Sequence, residues 1–179
     1  MKDNKDCFLV KGSSINEPMS LYLVTNKQDG VISARHILIK DEQIQALECD
    51  SYYECDIPKD AVFLPSEIYY KAKDQMTAYL KDIRKHLKNK LIKGDFEIQI
   101  GGHYYDGEFI NTITSIENEK VRYNLFRLER ENISPCWTGE TSIDIVKERM
   151  FPISNQTYAE VFQKYECLVA NLRNEVYNK

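Results

Sequence analysis

Between Glu67 and Asn89, Ile68, Ala72, Met76, Tyr79, Leu80, Ile83 and Leu87 recur at steps of three and four. That spacing places them on one stripe of a 3.6-residue helix, and the stripe requires a second apolar surface to cover it. Ser66 supplies an N-cap and Glu67 an anion for the first turn, where unpaired amides and the positive dipole end need them. Lys90 falls inside the stripe, so the helix is predicted to stop near Asn89. At 1.5 Å per residue it would be roughly 35 Å long, against a radius of gyration of about 16 Å for a compact chain of this size. The rest of the chain must be arranged around that rod.

A second helix closes the sequence. Ser154 caps it, and Tyr158, Val161, Phe162, Tyr165, Leu168, Val169, Leu172 and Val176 fill one arc of its wheel, with Cys167 pointing away. The first third reads as strands: Cys7 to Val10, Leu21 to Thr25 and Val31 to Ile39, with Asp29-Gly30 as a hairpin turn between the last two. Asp41 to Leu47 fits a short helix or a strand equally. After the long helix, Phe96, Ile98 and Ile100 alternate with Glu97 and Gln99, the period of a half-buried strand. His103 to Gly107 reads as a loop, Glu108 to Ile116 and Val121 to Leu128 as strands, and Pro135 to Gly139 as a polar loop. Thr141 to Val146 would be a further strand.

The expected class is therefore α+β, in four stretches: a β-rich region over 1–65, the basic amphipathic helix over 66–92, a small barrel-like sheet over 93–150, and the closing helix over 151–179. With 179 residues, 42% of them hydrophobic, one core is affordable without metal or disulfide. Five cysteines (Cys7, Cys49, Cys55, Cys136, Cys167) in no regular framework read as reduced thiols of a cytoplasmic protein. Met1 to Val10 is no secretory signal, and no run reaches the roughly 18 apolar residues of a membrane span. The lean toward Lys, Asn, Ile and Tyr fits an AT-rich genome, bacterial or phage, which would make the virion a second location.

Lys93-Gly94-Asp95 stepping into a strand, the aromatic loop around Tyr104 and Tyr105, and the run Gly107 to Ile116 followed by a tight polar turn form one pattern. Over Lys93 to Glu148 this layout resembles small SH3-like and Tudor-like barrels. The resemblance implies a binding barrel with aromatics in its first long loop, and fold analogy alone does not deliver function.

Charge placement is uneven. Lys71 to Lys93 carries eight bases and two acids in a chain of net charge −4. Lys81, Arg84, Lys85 and Lys88 lie opposite the apolar stripe and would form a basic ridge, facing phosphates, an acidic protein, or the chain's own acidic run from Glu48 to Asp60. Tyr104, Tyr105 and Trp137 are the candidate partner-binding aromatics, since aromatic side chains are enriched in interface hot spots. Cys136, His103 and Asp106 can be written as thiol nucleophile, base and orienter. Cys49 and Cys55 lack a second ligand pair for zinc, and no phosphate loop, dinucleotide fingerprint or nucleophile elbow is present. The expectation is a non-catalytic protein-interaction module without cofactor or metal, a subunit of a larger assembly. A nucleic-acid accessory protein using the basic ridge comes second, and a cysteine-dependent enzyme third.

Overall fold

The computed structural model describes residues 7–12, 17–40, 43–130 and 132–178, with the side chains of 48–50, 136 and 177 set aside. Runs of antiparallel strands are separated by helices in an α+β arrangement. The chain divides into two units, Met1–Thr77 with Cys167–Lys179, and Ala78–Glu166. Both boundaries fall inside the long helices α1 (Glu67–Lys90) and α3 (Asn155–Tyr177). Each unit therefore owns part of both helices.

In the first unit, β1 (Cys7–Lys11), β2 (Met19–Gln28), β3 (Val31–Lys40), β4 (Gln43–Tyr53) and β5 (Val62–Leu64) form a sheet in the order β5-β1-β2-β3-β4. Every pairing is antiparallel. Asp29 and Gly30 turn the β2–β3 hairpin with φ of 52° and 77°, the left-handed pair that a two-residue turn demands. Alternation decides the faces. Cys7, Leu9, Leu21, Leu23 and Ile37 are buried on one face. Tyr69, Ala72 and Met76 of α1 and Leu172 and Val176 of α3 are also buried in this unit. Gln75 Nε2 donates to Glu175 Oε2 at 2.6 Å, tying α1 to α3, and Lys71 pairs with the same carboxylate. The ambiguous Asp41 to Leu47 segment resolves, from Gln43 onward, into β4.

In the second unit, β6 (His103–Tyr105), β7 (Phe109–Glu117), β8 (Lys120–Leu128), β9 (Asn132–Ser142) and β10 (Phe151–Ile153) are ordered β10-β6-β7-β8-β9. Of the small barrel-like sheet expected over 93–150, the sheet is present, and among the described residues it does not close into a barrel. Three local readings also change. Residues 96–99 belong to no strand and Ile100 enters a turn; the Gln99 N–H donates to the Tyr104 hydroxyl at 2.9 Å instead of to a neighbouring strand. Phe96 and Ile98 still use their period of two to cover a cluster of Tyr104, Ile113, Val121, Val146 and Met150. The stretch around Trp137 is strand, not loop. The segment predicted as a last strand forms the helix α2 (Ile143–Arg149), because the Ser142 hydroxyl accepts the Ile145 N–H and Asp144, Lys147 and Arg149 match the helix dipole. Ser154 caps α3 as expected, its Oγ accepting the Thr157 N–H at 3.1 Å.

Candidate partner-binding surfaces

Tyr104 and Tyr105 lie in β6, and each is only 2% exposed. Neighbours in a strand point to opposite faces, so both are buried only because β6 is covered on both sides. Phe96 packs on Tyr104 with ring centroids 5.6 Å apart. The Tyr105 hydroxyl donates to the Gly107 carbonyl at 2.6 Å, and burial raises its pKa despite the nearby Arg84 charge. Both rings are part of the buried core. Trp137 is 42% exposed, yet the Arg127 guanidinium lies 4.3 Å from its ring centroid and also reaches Phe109 at 5.9 Å. The indole N–H donates to Ser134 Oγ at 3.1 Å. One face of the predicted contact residue is therefore occupied by a cation–π partner from its own sheet.

The basic ridge loses a member. Arg84 turns inward, Nη2 donating to the Leu128 carbonyl at 2.7 Å. Lys81, Lys85 and Lys88 remain exposed along one line of α1, and none has an ion-pair partner among the described residues. Asp82, between them in sequence, is held by Lys164 at 2.7 Å, and that hydrogen bond keeps its carboxyl below the usual range. His86 Nε2 lies 2.9 Å from Glu160.

In the thiol–imidazole–carboxylate reading, Asp106 and His103 are each engaged elsewhere. Asp106 is a turn residue: Oδ1 accepts the Glu108 and Phe109 N–H groups at 3.0 and 2.8 Å, and Oδ2 accepts from Asn111 at 3.2 Å. His103 Nδ1 meets Thr112 Oγ1 at 2.8 Å, and its ring stacks on Tyr158 at 3.9 Å with 9° between planes. Burial lowers its pKa. Asp106 thus does not orient His103, and the Cys136 and Cys49 side chains lie outside the described ones. Cys7 is buried, and desolvation pushes its thiol up to about 12. Cys55 and Cys167 are exposed free thiols. Among the described residues no group of three metal-ligating side chains converges.

The surface that sequence reasoning missed is in the first unit. Strand register places Phe63 opposite Phe8, Phe8 opposite Tyr22, and Tyr22 opposite His36, one aromatic row across four strands on the face away from Leu9 and Leu21. Phe8 and Tyr22 stack at 4.6 Å and 11°, and Tyr52 meets Tyr22 edge-on at 5.3 Å and 86°. The Tyr52 hydroxyl and His36 Nδ1 are 3.1 Å apart. The β3–β4 register shifts between Ala34 and His36, with the extra residue on β4; Tyr52 is paired with Ile32 and its ring reaches the row. After β4 the chain makes one 3-10 turn (Glu54–Asp56), anchored where the Glu54 N–H donates to the Gly30 carbonyl at 2.8 Å and Lys27 pairs with the Glu54 carboxylate. Between this turn and the row is a pocket of about 210 Å³, lined by Phe8, Val10, Tyr22, Tyr52, Asp56, Ile57 and Pro58. Phe63, at the end of the row, is 51% exposed. Each aromatic is visible in the sequence at a period-two position, but their alignment depends on register, which single strands do not encode.

Comparison with protein-family models, with curated proteins and with solved structures gives no match. Among the described residues no helix is long and apolar enough to cross a membrane.

Proposed function

We propose that this protein is a non-catalytic interaction module that holds a protein partner through the aromatic pocket of its first unit. The observation that carries the reading is the row Phe63, Phe8, Tyr22 and His36, in which Phe8 and His36 are buried while Phe63 stands open to solvent, with a pocket beside Tyr52. A large apolar side chain left in water beside a formed pocket, as Phe63 is, is where partner contacts concentrate. The partner would be another subunit of a larger assembly in a reducing compartment, in keeping with the free thiols Cys55 and Cys167. A photo-crosslinking residue at position 63 in the native host should capture one specific partner, and Tyr22→Ala or Tyr52→Ala should abolish the adduct. An adduct indifferent to both substitutions would overturn the reading.

A second reading rests on Lys81, Lys85 and Lys88, three exposed amines in line, none of them in a close ion pair among the described residues. They support a phosphate-contacting surface, and nucleic-acid binding through them should weaken steeply with salt. Flat salt dependence, or unchanged binding by the triple Lys→Glu variant, would end it.

A further inference from the structure

We infer that the pocket beside Tyr22 and Tyr52 takes the side chain of a lysine or arginine presented by a partner polypeptide. This rests on the interaction-module reading and names what the pocket recognises.

Size comes first. At about 210 Å³ the pocket falls below the roughly 300–1,000 Å³ clefts that hold drug-sized ligands, and it suits one long side chain. Its lining is of two kinds. Phe8, Val10, Ile57 and Pro58 offer apolar contact suited to an alkyl stem, while Asp56 brings a carboxylate and Tyr22 and Tyr52 bring hydroxyls. A chain of methylenes ending in a cation matches both parts, since long basic side chains lay their stems on apolar surface and keep the charge at a polar edge.

Charge decides between occupants. Glu54, two residues before Asp56, is paired with Lys27, whereas Asp56 has only the Cys55 thiol at 3.8 Å and no cation among the described residues. An acidic or phosphorylated ligand would meet that carboxylate with repulsion. A purely apolar side chain would strip water from it and return nothing. A guanidinium or ammonium removes both penalties with a charge-assisted hydrogen bond. The rings chiefly hold the stem, because Phe8 and Tyr22 each turn one face to the other in their stack.

The test is titration of the full chain, followed by amide NMR, with four blocked amino acids: arginine, lysine, and their uncharged counterparts citrulline and norleucine. Arginine and lysine should shift the amides of Tyr22, Tyr52 and Asp56, and bind about tenfold more tightly than the uncharged pair. Asp56→Asn, a near-isosteric change at an exposed position, should erase that difference while leaving citrulline and norleucine unaffected. Equal binding of all four probes in the pocket would overturn the basic-side-chain assignment and leave the pocket standing as an apolar docking site. Absence of shifts at these amides with every probe would overturn the assignment too. The position-63 crosslink, read separately, then decides whether the interaction-module reading falls with it.

Discussion

Arg84 points its guanidinium into the second unit, where Nη2 donates to the Leu128 carbonyl at 2.7 Å, while Lys81 and Lys85 on the same helix face water. Its Nε is buried without a hydrogen-bond partner, so the residue trades one satisfied donor for one unsatisfied one. Arg84→Ala should lower stability by about 1–3 kcal/mol, read as a shifted denaturant midpoint, because the Leu128 carbonyl loses its charged donor. It should not change any nucleic-acid affinity. The Lys81, Lys85 and Lys88 triple variant should do the reverse, and equal effects on stability would show that the lysines also pack inward.

Gly139 sits opposite Tyr123 across β8 and β9, and a Cβ there would come within 2.5 Å of the ring. Gly139→Ala must displace the half-buried Tyr123 ring from its place over the glycine. The expected cost is about 1 kcal/mol, because the ring can swing toward solvent instead of forcing the backbone apart. In a double-mutant cycle, Tyr123→Ala should remove most of the Gly139→Ala penalty. Strict additivity would mean that the two positions are not in contact.

His103 is half-buried, stacked on Tyr158, and partial burial lowers its pKa from 6.5. The unfolded chain therefore takes up this proton at higher pH than the folded one. The contribution is at its best above pH 6.5 and is lost as pH falls through the folded pKa. His103→Phe keeps a ring for Tyr158 but cannot titrate, so its stability should fall less than that of the wild type between pH 6.5 and the onset of carboxylate protonation. Parallel stability curves in that window would contradict the burial of a neutral imidazole.

Thiol reactivity should sort by position. Cys55 and Cys167 are exposed, whereas Cys7 is buried and its thiol is raised to about 12. At pH 8 an alkylating reagent should modify Cys55 and Cys167 in the native protein and reach Cys7 only on unfolding, as read by peptide mass spectrometry. Early labelling of Cys7 would show that β1 opens locally.

Both long helices were legible, because an apolar stripe at steps of three and four is a local signal that survives in any fold with something to pack on. The β2–β3 hairpin was legible for a similar reason, since Asp29-Gly30 specifies its turn within two residues. The errors cluster where a residue's fate depends on a distant neighbour. Phe96 to Ile100 alternates like a strand, but the Tyr104 hydroxyl takes the Gln99 amide. Tyr104 and Tyr105 flank glycine turns like contact residues, but β6 is covered on both sides.

The amino-acid order by itself settled the α+β class, the two helices with their buried faces, and the outward placement of Lys81, Lys85 and Lys88, all consequences of periodicity along one segment. Only the tertiary structure decided that Arg84 turns to Leu128, that Trp137 is taken by Arg127, and that Phe63, Phe8, Tyr22 and His36 fall in one row. Register between strands and the covering of a face are properties of pairs of segments. A one-residue slip or a single bulge rewrites them without altering the pattern within either segment.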